Sequence, residues 1–177
     1  MIRVDWGHYG EQWPHIADGT IYIPVIMGTT SDLRQALKKR FFSHAQQSGF
    51  TIDERRQPGA TVFRRRVGAS VHIFEVQWDK YGKPRFRLHF GTCPAEGLMV
   101  SAAVVLPDDT LPGWCADAGT LQPPFRQDAS WLQRLLGQPA LRDPDAVVDE
   151  LLQLFSELER YWANGEVGRH IKRWRVR

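Results

Sequence analysis

The sequence predicts an α+β domain: an antiparallel sheet of about five strands with helices packed on one face. Three observations carry this. Apolar and polar residues alternate with period two through consecutive stretches between Ala60 and Gly91, separated by turn-rich gaps. One stretch before this block and one after it place apolar residues at helical spacing. The 177 residues are 42% apolar and 24% charged, which fits one globular domain and excludes wholesale disorder. A chain of this length buries enough surface to fold without a metal or a disulfide.

Residues 1–19 carry Trp6, His8, Tyr9, Trp13 and His15 without a clear period. They are expected to form an aromatic arm packed on the body. Thr20 to Met27 alternates as a strand, and Pro24 places it at an edge. Thr30 or Ser31 caps a helix expected over 31–47. Leu33, Ala36, Leu37, Phe41, His44 and Ala45 share its apolar face, Arg34, Lys38 and Lys39 lie off it, and Gly49 ends it.

Three meander strands follow. The first runs from Ala60 to Arg66 and the second from Ser70 to Asp79, with His72, Phe74, Val76 and Trp78 on one face. Asp79 to Pro84 is a turn by composition. The third, Arg85 to Gly91, turns Phe86, Leu88 and Phe90 inward and Arg85, Arg87 and His89 outward. Leu98 to Leu106 is expected as a fourth strand of this group. Both apolar helices are expected on the face that carries Phe74, Trp78, Phe86 and Phe90. Full burial there would make Trp78→Ala cost about 3–5 kcal/mol.

Prolines between Pro107 and Pro124 mark a loop region that Trp114 and Phe125 tack to the core. Asp128 caps a short helix through Trp131, Leu132 and Leu135. Asp143-Pro144-Asp145 starts a long helix, with a cap followed by proline at the first helical position. Val147, Val148, Leu151, Leu152, Phe155, Leu158, Tyr161 and Trp162 form its apolar stripe, and Gly165 ends it. The domain organisation is therefore an arm at 1–19, a single α+β domain at 20–165, and a basic helical tail at 166–177.

The order of these elements resembles the bacterial domain-of-unknown-function family 4304. Gly49-Phe50, Val62-Phe63-Arg64, Val71 to Trp78 and Arg85 to Gly91 carry the likeness, with the Trp131 segment and the helix from Asp143 placed alike. It covers roughly residues 30–165. It implies one α+β domain with an antiparallel sheet and no assigned activity. The aromatic arm and the basic tail depart from it.

Several function classes lose support on residue grounds. Neither GxGxxG nor GxxxxGK[ST] occurs, so no phosphate loop is expected. His72, His89, Cys93 and Cys115 lack the spacing of a zinc site, and no metal or other cofactor is expected. Cys93 with His72 or His89 is a poor nucleophile pair, and Asp108-Asp109 reads as a solvated turn. No catalytic residues are assigned and no enzyme is expected. The two cysteines read as reduced, buried thiols. Arg3, Asp5 and Glu11 break any apolar leader, and no apolar stretch is long enough for a membrane helix. A cytoplasmic protein without a membrane partner is expected.

Charge carries the positive reading. Lysine and arginine number 23 against 20 acidic residues, a net charge of +3. Arg55, Arg56, Arg64, Arg66, Arg85, Arg87 and His89 are expected on or beside the solvent face of the sheet, and Arg173 and Arg175 lie in the tail. Arginine forks suit carboxylates and phosphates. The expected function is a small protein-binding module whose partner has an acidic surface. An immunity protein that neutralises a toxin or effector is its concrete form. The alternative is a nucleic-acid-binding module using the basic sheet face and the tail. Against that alternative, the strand aromatics alternate with the arginines and so point to the opposite face.

Overall fold

The period-two stretches fold as an antiparallel meander, and three further strands extend it. The computed structural model describes residues 29–53, 59–100, 102–115, 117–129, 135–137 and 141–174. The expected arm, the strand at 20–27, Arg55, Arg56, Trp131, Leu132 and Arg175 lie outside the described residues. The strands are β1 (Thr51–Ile52), β2 (Ala60–Val67), β3 (Ser70–Trp78), β4 (Arg85–Pro94), β5 (Leu98–Val100), β6 (Ala103–Val105), β7 (Asp117–Arg126) and β8 (Ile171–Arg173). Six of them form one sheet in the order β1-β2-β3-β4-β7-β8, with every neighbouring pair antiparallel. The fold is α+β.

Register sets the core. Phe63 lies opposite Phe74, and Phe74 opposite Phe90, so three rings from three strands share the inner face. The first helix is continuous in three parts: α1 (Thr29–Leu37), a π turn (Lys38–Phe42) and α2 (Ser43–Gln47). Phe41 and Phe42, successive residues of the π turn, are both buried against the sheet. The long helix α3 spans Pro144–Asn164. The Asp143 carboxylate accepts the Asp145 N–H at 3.0 Å, and Gly165 closes the helix at φ 75°. A β-carbon disfavours that left-handed backbone. Both helices reach the same sheet face: Phe41 lies 5.7 Å and Phe155 5.3 Å from Phe74, centre to centre. Arg40 ties them together through Asp145 and Asp149.

Four expectations are corrected. Leu98 to Leu106 is not a strand of the main sheet. It is a separate β5–β6 hairpin, with Ala102 at φ 69°. The expected loop between Pro107 and Pro124 contains β7, which lies between β4 and β8. The basic tail is not helical where it is described: Ile171–Arg173 forms β8, and Ile171 enters the core. Trp78 is only partly buried, so its removal costs less than the full-burial figure. Among the described residues, no helix is long and apolar enough to cross a membrane.

The outer face of the sheet carries a second, smaller core. Val62, Val71, Ile73, Cys93, Cys115 and Ala118 are buried there, with Leu98 and Leu111 packed over them. A β-carbon on Gly91 would stand 2.8 Å from Cys115 Cβ, so only glycine admits this approach. Both cysteines are free and buried. Burial pushes both thiols up, Cys115 to about 12, which keeps them protonated at neutral pH.

One imidazole is built into the inner face. The His72 ring stacks on Trp162 at 4.8 Å, and Arg65 donates to its Nδ1 at 3.4 Å. Arg65 also bonds Glu159 at 2.8 Å and lies over Phe50. Burial, aided by the Arg65 charge, lowers His72 to about 4. The unfolded ring binds its proton near pH 6.5, so between about 6.5 and 4 the unfolded state holds more protons. Stability is therefore highest above that window and falls as pH drops through it. The expected loss from pH 7 to 4.5 is about 2–3 kcal/mol. Urea denaturation at the two pH values checks this against His72→Phe, which retains the stack and should lose that much less. An equal acid loss in both proteins would refute it.

Candidate binding cleft

The cleft is built at the end of the sheet where β3 turns into β4. Asp79 organises that turn: its Oδ1 accepts the Tyr81 N–H at 2.9 Å, and its Oδ2 takes Arg85 Nε at 2.8 Å. A short carboxylate that bonds the backbone two residues on is a turn former. The Arg85 bond holds the Asp79 carboxyl below the usual carboxylate range. Gly82, at φ 72°, lets the chain reverse, and Lys80 and Tyr81 project into solvent.

The opposite wall comes from an irregularity in β7. Phe86 pairs with Phe125 and Leu88 with Leu121, so β7 spends four residues where β4 spends two. Pro123 and Pro124 fall in that excess. Proline has no N–H to give a ladder, so the strands part here, beside Arg87. The resulting cleft has a volume of about 980 Å³. Arg34, Lys80, Arg85, Arg87 and Arg126 line it, with Trp78, Tyr81, Phe86, Pro123 and Pro124.

Its cations divide into two groups. Arg85 is paired with Asp79, and Arg126 with Asp128 at 3.2 Å. The Arg34 guanidinium lies 4.8 Å over the Trp78 ring, and Lys80 4.8 Å over Tyr81. Arg34, Lys80 and Arg87 have no carboxylate partner among the described residues. Three unneutralised cations on a partly apolar wall can hold carboxylates or phosphates by charge-assisted hydrogen bonds.

Of the arginines and the histidine assigned from sequence, Arg85 and Arg87 meet in this cleft. Arg64 does not. It points to the outer face, as alternation requires, but the chain after β4 covers it. Its Nε donates to Pro107 O and its Nη2 to Thr110 O, both at 2.9 Å, and it pairs with Asp53. Arg66 is exposed beside Val71, whereas Arg87 lies beside Gln77. Six residues of strand separate those positions, roughly 20 Å. Arg173 lies on the inner side of β8, opposite Gly119 and 3.4 Å from Asp117.

His89 stands next to the cleft rather than in it. Trp174 Nε1–H donates to Thr120 Oγ1 at 3.0 Å. That leaves the Thr120 hydroxyl proton for His89 Nδ1 at 2.8 Å and the His89 Nε2–H for Gln77 Oε1 at 3.2 Å. Burial and then Arg87 lower His89, which favours this neutral ring. Both ring nitrogens are spent within the protein, so His89 pins Trp174 to the sheet and offers a ligand nothing. Among the described residues, no group of three or more His, Cys, Asp or Glu could hold a metal ion.

Sequence reasoning missed Arg34, Lys80, Arg126, Trp78 and Tyr81 as cleft residues. Arg34 lies off the helix stripe, and that position is what aims it at Trp78. The Asp79-to-Pro84 turn was the one available signal, since a fixed turn next to Arg85 gathers neighbouring side chains. Comparison with protein-family models, with curated proteins and with solved structures gives no match to this chain.

Proposed function

We propose that this chain is a protein-binding module without turnover of its own, which docks the acidic surface of a partner protein in the cleft at the β3–β4 turn. One observation carries the reading: Arg34, Lys80 and Arg87 share the cleft with no carboxylate among the described residues to neutralise them. Arginine and aromatic residues are also the types that dominate interface energetics. An immunity protein that neutralises a toxin or effector is the biological form we favour. The resemblance to family 4304 adds an expected fold and no activity.

A nucleic-acid reading draws on one finding. Trp78 and Tyr81 line the cleft next to Arg34 and Lys80, cations that come from the first helix and the turn. One feature favours protein over nucleic acid. Arg34 and Lys80 already cover faces of the two rings that bases would stack on.

Labelled hexaglutamate tests this by fluorescence anisotropy, against oligothymidylate of equal charge. Hexaglutamate should bind, and its binding should weaken as salt rises. Arg34→Glu/Arg87→Glu should weaken it at least about tenfold, since two attractions become repulsions. Both side chains are exposed, so circular dichroism should show the fold unchanged. Unchanged affinity in the double variant sinks the reading. Tighter binding of oligothymidylate transfers it to nucleic acid.

A further inference from the structure

We infer that the cleft takes an acidic peptide segment carrying one large apolar side chain, with carboxylates on Arg34, Lys80 and Arg87 and the apolar side chain on the wall of Trp78, Tyr81, Pro123 and Pro124. The inference rests on the protein-binding reading above and names the element of the partner that is bound.

Three observations lead to it. A site made only for charge needs polar walls, but rings and prolines line this cleft alongside Gln77 and Asp79. Trp78 is only partly buried, and Pro123 and Tyr81 are exposed, with Tyr81 retaining 72% of its surface. That apolar area gains from being covered. The cleft, at about 980 Å³, is also far larger than a carboxylate and matches a ligand of several residues.

The walls are set before binding. Proline fixes its own backbone angle, and Asp79 holds the opposite turn through the Tyr81 N–H and Arg85. A preformed wall loses little freedom when a side chain lands on it, so apolar contact converts to affinity with little ordering cost. Charge alone would select partners by attraction at a distance. The apolar wall adds a requirement at short range, which separates an amphipathic acidic segment from any polyanion.

Two peptides of equal charge test this: six glutamates, and the same six glutamates with one central phenylalanine. On the wild-type chain the phenylalanine peptide should bind at least about tenfold tighter. Tyr81→Ser, at an exposed turn position, should reduce that advantage, read as the ratio of the two peptide affinities within the same variant. Trp78→Leu, assayed only once its fold is verified by circular dichroism, should do the same. Equal affinity of the two peptides for the wild type overturns this inference and leaves the protein-binding reading standing. An advantage that survives intact in both variants also overturns it. Failure of both peptides to bind the wild type at low salt overturns the inference and the reading together.

Discussion

Phe74→Ala should remove about 3–5 kcal/mol of stability. The ring has no exposed surface and sits where the sheet meets both helices. Its centre lies 4.5 Å from Phe63, 4.9 Å from Phe50, 5.3 Å from Phe155 and 5.7 Å from Phe41. These partners come from β2, the turn before β1, α3 and the π turn, so no single element can move in to fill the hole. The cost is the lost burial of the ring plus an uncollapsed cavity. Guanidinium denaturation measures it, with the midpoint falling at an unchanged slope. A loss below about 1 kcal/mol would mean that the site collapses freely, contrary to this packing.

Arg64→Met should lose about 3 kcal/mol or more, although the substitution keeps an apolar stem of similar length. The side chain spans three acceptors that no other residue type reaches together: Pro107 O, Thr110 O and the Asp53 carboxylate. The two carbonyls belong to the chain that covers the outer face of the sheet. Removing the fork leaves buried acceptors behind and frees that cover. The second expectation follows from the first: amide exchange at Thr110 and Trp114 should quicken by more than the global loss requires. Arg64→Lys should recover little, because an ammonium cannot reproduce the planar fork. Wild-type stability and exchange in Arg64→Met would show that the cover is held by Leu98 and Leu111 alone.

How much of this could be read beforehand differs from element to element, for physical reasons. The strands at 60–66, 70–79 and 85–91 were legible because one face is apolar and the other is largely polar, which imprints period two. The strand at β7 was not, because Pro123 and Pro124 look like loop residues. They sit in a bulge where the ladder is already broken and an N–H is not needed. β8 has three residues, and Ile171 alone is buried, too little for any period. Leu98 to Leu106 looked like one strand because its apolar run hides the reversal at Ala102.

The cleft was half legible. Alternation correctly sent Arg64, Arg66, Arg85 and Arg87 to one face. It gives the direction of a side chain, and what later covers that side chain depends on distant sequence. Arg64 is closed over by residues more than forty positions on, while Arg87 stays open. Arg34 and Arg126 reach the cleft from other elements, and only the register of the whole sheet brings them there.

The order of the strands also bears on the route by which this chain folds. β2 and β3 are joined by two residues, and β3 and β4 by the Asp79-to-Pro84 turn. β7 meets β4 only after residues 95–116, and β8 meets β7 only after 127–170. Loop-closure entropy grows with those separations, so the three-stranded meander is the cheapest nucleus and β8 the last strand to dock. Stopped-flow kinetics should therefore divide the molecule. Phe63→Leu in β2 should slow folding, whereas Ile171→Ala in β8 should leave the folding rate nearly unchanged and speed unfolding. The edge strand then governs how long a folded molecule lasts, while the meander governs how quickly one forms.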